Sequence, residues 1–209
     1  MYHEDNSNAD VLPKATRYVG ERTVGWRLVW NVTDLSRDPL SWSGDWRSSE
    51  YASVDKAAGN RFCLADVERL PRGQRFTRIM AIEGEGGAYE QIRQNGWANI
   101  LKAAPDAILL IEVVNSQTPW MAAGDLDLDK CPHAIHPKTQ LGIGANSRAD
   151  GFLIGFVDGA VWSLDESIPF TELEKFLTVE GARAHDRESI LKPYSKLNLM
   201  PADFAPFVR

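Results

Sequence analysis

The dipeptide Asp158-Gly159 constrains this chain more than any other feature, because it stands between two runs of strand formers, Gly151 to Val157 and Ala160 to Asp165. Asp-Gly between apolar runs is a strong short-range signal for a β-hairpin, and it suits the two positive-φ positions of a two-residue type I′ turn. That turn predicts a register in which Val157 faces Ala160, Phe156 faces Val161, Gly155 faces Trp162, Ile154 faces Ser163 and Leu153 faces Leu164. Trp162 is then expected to lie over a position without a side chain, with Gly155 making room for the indole. Most residues on both faces are apolar. The hairpin therefore belongs inside a sheet covered on both sides, where burying each large side chain stabilises the fold by roughly 1.5–3 kcal/mol.

A hairpin of this kind needs neighbours, and 209 residues of which 44% are apolar can supply them. A single domain is the economical reading at this length. We expect a polar arm at 1–20, one α+β domain at 21–181 and an extended strap at 182–209 containing Pro193, Pro201 and Pro206. Thr23 to Val32 alternates and reads as a first strand, and 48–58 as a short helix with Tyr51, Val54 and Ala57 along one side. Phe76 to Ile82 reads as a strand running into the glycine-rich turn Gly84-Glu85-Gly86-Gly87. Ala107 to Val114 is apolar except for Glu112, and its β-branched content points to a central strand. Phe170, Leu173, Phe176 and Leu177 share a helical stripe. Pro169, the capping-box spacing of Thr171 and Glu174, and Gly181 beyond the end frame one helix over 169–179.

Charge and composition exclude several classes. The net charge of −6, with basic residues interspersed, gives no nucleic-acid footprint. No run of 18 apolar residues is present, and the first ten residues do not read as a secretion signal. The two cysteines, Cys63 and Cys131, lack the spacing of a zinc ribbon or a disulfide framework, although one bridge is compatible with export.

The candidate chemistry lies in a few places. Glu112 is a carboxylate within an apolar strand, where burial is costly without a partner. It reads either as an acid or ion ligand or, preferably, as one member of an ion pair or hydrogen bond at a sheet edge with an arginine. Asp125, Asp127 and Asp129 alternate with leucines, but Lys130 and His136 occupy the positions at which a calcium loop needs glycine and glutamate, so an exposed strand or turn edge is expected. Cys131, His133 and His136 fall within six residues without the spacing of a common zinc site, and polar loop histidines are the simpler reading. The glycines at 84–87 and at 142 and 144 complete no nucleotide loop, and neither group lies between a strand and an obvious long helix. No Gly-x-Ser-x-Gly elbow or Ser-His-Asp set emerges. The seven tryptophans read as core residues before a sugar-stacking surface.

Several segments together resemble the domain of unknown function 1559 family, also labelled solute-binding protein family 10. The resemblance rests on Ala107 to Ser116, Pro119-Trp120-Met121, Gly124 to Leu128, the Asp158-Gly159 hairpin and the helix to Thr178. More weakly, Gly25-Trp26-Arg27-Leu28, Asp45-Trp46-Arg47-Ser48 and Met80 to Tyr89 are similar to its upstream segments. The family carries a pilin-type N-terminal methylation helix and a hallmark written H-x9-DG. Here Arg148 stands at the hallmark histidine position, Lys102 to Ala107 replaces the family's Asp-Gly-Thr-Ser-Asn-Thr, and no methylation helix is present in the chain.

The resemblance implies an α+β fold, an antiparallel sheet with a central C-terminal hairpin and one or two packed helices, as in the globular domain of a pseudopilin. It implies a non-enzymatic role in assembly or interaction at the bacterial cell envelope, with protein partners or self-assembly, no nucleic acid and no cofactor. The alternative is an extracytoplasmic module binding a glycan or cation through Trp120 and the Asp125–Asp129 segment. A metal hydrolase built on His133, His136 and Asp127 is more distant. The residues expected at a ligand or interaction site are Glu112, Trp120, Asp125, Asp127, Arg148 and Asp158.

Overall fold

Two stretches that read as strands in the sequence, near 79 and 108, lie side by side at the centre of the fold. The computed structural model describes residues 76–120, 122, 124–145 and 151–199. The expected arm, the strand near 23–32, the helix near 48–58, Cys63 and Arg148 lie outside the described residues. Strand β1 (Ile79–Glu83) is followed by helices α1 (Ala88–Asn95) and α2 (Trp97–Ala103), and strand β2 (Ile108–Val114) returns antiparallel to β1. Two short strands follow, β3 (Leu126–Asp127) and β4 (Gly142–Ile143), then the hairpin β5 (Phe152–Phe156) and β6 (Val161–Leu164). The chain continues through α3 (Phe170–Leu173) with a 3-10 turn (Glu174–Phe176), α4 (Val179–Ala184), α5 (Arg187–Ile190), a second 3-10 turn (Lys192–Tyr194) and strand β7 (Ser195–Leu199).

The strands form one open sheet in the order β3-β1-β2-β5-β6-β7, with β4 pairing β2 off this path. The fold is α+β, as expected, but the sheet is mixed because β3 runs parallel to β1. β2 is the hub. Its apolar run is buried at every position but Leu110, as a strand flanked on both sides and covered on both faces requires. The largest fully buried side chains include Trp120, Trp162, Tyr89, Phe152 and Phe156.

The hairpin forms with a different register from the one its turn dipeptide suggests. Phe156 N donates to Ala160 O at 2.9 Å and Gly159 N donates to Phe156 O at 3.0 Å, so the loop holds three residues, Val157-Asp158-Gly159. Gly159 takes φ of +87° and Asp158 stays at negative φ, which describes a type I turn closed by a left-handed glycine and not type I′. Tertiary contacts explain the choice. Val157 N donates to Ala107 O and Asp158 N to Pro105 O, both in the segment entering β2, and the Asp158 carboxylate also accepts from Ala160 N at 2.8 Å.

Every cross-strand pair therefore shifts by one, so Trp162 faces Ile154 and Gly155 faces Val161. Gly155 does not make room for Trp162; a Cβ placed there would meet Leu110 Cβ at an ordinary 3.6 Å. The face carrying Phe152, Ile154, Phe156, Trp162 and Leu164 is fully buried, whereas Leu153, Gly155 and Val161 opposite are half-buried. Gly151 is the obligatory glycine of the hairpin: at φ +133° its Cβ would lie 2.0 Å from Leu164 O.

The expected helix over 169–179 breaks in two. The first helix starts at Pro169 without a side-chain cap, so Thr171 and Glu174 form no capping box, and Thr178 caps a new helix by accepting from Gly181 N at 3.1 Å. Gly181 thus lies inside α4, where a Cβ would come 2.4 Å from Lys175 O. The expected extended strap is corrected for its described part: residues 182–199 make helical turns and then β7, which pairs antiparallel with β6.

Candidate functional site

Glu112 sits where the sheet forks. β2 pairs β5 as far as Ile111–Ile154, then takes β4 as its neighbour from Val113–Ile143. At the fork Leu153 N donates to Glu112 Oε2 at 3.0 Å, so the side chain replaces the ladder partner that the diverging strand withdraws. The carboxylate is 2% exposed and Arg78 Nη1 stands 3.9 Å from Oε1. An arginine neighbour was expected, but at a sheet edge. The carboxylate instead belongs to the central strand, where it is spent on holding two strands at their point of separation.

Asp125 plays a similar part on the far side of β1. Its Oδ1 accepts from Ala81 N at 2.9 Å, immediately before β3 takes up the parallel pairing with Ile82. The expected exposed edge with inward leucines describes this segment in part, since Leu126 is 1% exposed, but Asp125 itself is 9% exposed. Asp127 faces outward, paired with Lys130. The ammonium beside it holds the Asp127 carboxyl below the ordinary carboxylate range, and Asp127 in turn raises Lys130.

Asp158 is held by a residue that sequence reasoning did not single out. Arg187, 6% exposed, places Nη2 2.6 Å from Asp158 Oδ2 and Nε 3.2 Å from Asp106 Oδ1. Its guanidinium lies over the Phe156 ring at 4.7 Å and near the Trp162 ring at 5.4 Å. The planar fork and the aromatic faces together suit arginine and not lysine. Burial pushes Asp106 up from the ordinary carboxylate value; Arg187 opposes that shift, and Asp158 and Asp186 add to it. No spacing signal marks Arg187 in the sequence, because its partners are 29 and 81 positions away.

The remaining candidates disperse. Trp120 is 2% exposed, which removes it as an open stacking platform for a sugar. His136 Nδ1 lies 2.8 Å from Glu166 Oε1, and His133 stacks on Phe170 with centroids 5.1 Å apart. Among the described residues no three His, Cys, Asp or Glu side chains stand where they could share a metal ion, so His133, His136 and Asp127 do not assemble as a centre. Cys131 is buried, and burial pushes its thiol up to about 11.

The turn at Gly84–Gly87 joins β1 to the eight-residue helix α1, not to a long helix, and its backbone is already used. Gly87 N donates to Gly84 O, and Gly86 O accepts from Val179 N at the start of α4. Beside it lies an open groove of about 590 Å³ lined by Gly86, Gln91, Val179, Glu180, Arg183 and Ala184. Of the residues singled out in the sequence, Gly86 of the glycine-rich turn lines it, and none of the expected ligand-site residues does. Comparison with protein-family models, with curated proteins and with solved structures gave no match.

Proposed function

We propose that this chain is a non-enzymatic, pseudopilin-like globular domain that acts in assembly or interaction at the bacterial cell envelope. The supporting observation is the use made of its candidate ligands. Glu112 and Asp125 are spent on backbone amides of the sheet, Asp158 on Arg187, and Trp120 on the core. Residues spent in this way shape a framework, and a framework that presents surfaces to other proteins is the role the family resemblance implies, by analogy of fold.

The test is to follow the full chain in its source cell by fractionation with in vivo cross-linking. The proposal expects recovery with the envelope fraction and covalent capture of a second copy or of an envelope protein. Recovery as a free cytoplasmic monomer would overturn it. The second reading, an extracytoplasmic ligand-binding module, draws support from the open groove beside α4 and not from Trp120. Its test is a saturable thermal shift with a glycan, abolished by Arg183→Ala.

A further inference from the structure

Loop 131–144 closes on itself and then on the segment after β6. At its base Ile135 bridges Ile143, His136 N donates to Ile143 O at 2.7 Å, and Cys131 Sγ lies against the backbone of Ile143. Asn115 Nδ2 holds the middle by donating to Pro137 O and Gln140 O. Outward, two histidines of the loop meet two glutamates of one segment: His136 with Glu166 at 2.8 Å and His133 with Glu174 at 4.0 Å. Phe170, midway between the glutamates, carries the His133 ring. His136 takes φ of +54°, an uncommon conformation for a side chain of this size.

The neighbouring charges make the match selective. Asp165 is engaged by Lys196 and Glu172 by Lys175, whereas Glu166 and Glu174 have no lysine or arginine partner among the described residues. Lys138 is the loop's other titratable group between the histidines and β4, and it makes no ion pair within the described residues. Histidine is the side chain whose charge changes between about pH 5 and 8. Protonation would turn both contacts into ion pairs that fasten the same loop to the same segment.

We propose that loop 131–144 is a strap that tightens as pH falls, with His133 and His136 fastening to Glu166 and Glu174, and that it controls solvent access to Cys131. Cys131 begins the strap, is 7% exposed and has its sulfur against the backbone of Ile143 at the strap's other end, so strap opening is read directly by thiol labelling. The experiment uses the full chain with Cys63→Ser and compares labelling of Cys131 by 4,4′-dithiodipyridine with and without Glu166→Gln/Glu174→Gln, at pH 5.5 and 7.5. Comparing the two chains at one pH cancels the thiolate fraction. The proposal expects the glutamine variant to label faster, by a factor roughly three to ten times larger at pH 5.5 than at 7.5, in the range that two surface ion pairs supply. An equal factor at both pH values, or a larger one at pH 7.5, overturns it. Hydrogen exchange of the 131–144 amides in the unaltered chain, corrected for intrinsic rates, gives an independent reading: protection must rise on acidification, and unchanged or falling protection also overturns the proposal.

Discussion

Arg187 closes on Asp158 across 29 residues, with Nη2 2.6 Å from Oδ2, so the last helical segment and the hairpin turn are fastened at one buried point. Removing the cation leaves two carboxylates facing each other in a poorly solvated site. Arg187→Ala is expected to lower unfolding stability by about 3 kcal/mol, within the range for breaking a buried pair. Arg187→Lys should recover only part of this, because a point charge cannot serve both carboxylates and the two rings. Urea unfolding followed by tryptophan fluorescence measures both.

Asp106, the second carboxylate held by Arg187, gives this cluster a pH dependence. Its folded-state pKa lies above the ordinary value of 3.8, with burial as the leading cause. The native state then holds the Asp106 proton more tightly than the unfolded chain, so stability from this group falls as pH rises from about 3.8 through the raised folded value. Asp106→Asn keeps an acceptor for Arg187 Nε and is expected to leave stability at pH 7 unchanged or raised, with the difference from the parent shrinking as pH falls toward 4. Unfolding curves at a series of pH values check the sign; a marked loss at pH 7 would contradict it.

The hairpin register is open to a direct test. In the observed pairing an alanine at Gly155 makes an ordinary contact with Leu110, so Gly155→Ala should change stability by no more than about 0.5 kcal/mol, as usual where no special feature is disturbed. If Trp162 lay over Gly155, the same change would force the indole away. Gly159→Ala, at φ +87°, is expected to cost about 1 kcal/mol or more for backbone reasons alone.

These cases show what the sequence made legible. The hairpin, the central strand near 107–114 and the α+β class were all readable, because each is written in local apolar patterning and turn chemistry. The register was not, since Asp-Gly fits two turns and the choice between them came from Pro105, Ala107 and Arg187, distant in sequence. α1 and α2 were missed because they are short and bury few side chains, Ile100 alone in the second. Glu112 was legible as a buried charge in need of a partner, but its place at a fork between β5 and β4 depends on where Gly142 and Ile143 dock. The groove beside α4 was not legible because, apart from Gly86 of the glycine-rich turn, its residues come from helices whose packing no local spacing records.

The fork makes its own prediction. Glu112→Gln retains an acceptor for Leu153 N and should cost little, whereas Glu112→Leu strands that amide and removes the charge near Arg78. The leucine variant is expected to lose about 1–3 kcal/mol, the usual consequence of an unsatisfied buried group. Hydrogen exchange at the Leu153 amide should accelerate in the leucine variant and stay slow in the glutamine variant.

Glu112, Asp125 and Asp158 each hold a group of the fold itself, and they are expected to take no cation. Calorimetric titration of the full chain with calcium chloride, with a thermal shift in parallel, tests this most directly. No saturable heat and no rise in Tm are expected, because Glu112, Asp125 and Asp158 already hold partners within the fold. A saturable heat that disappears in Asp125→Asn or Asp127→Asn would contradict it.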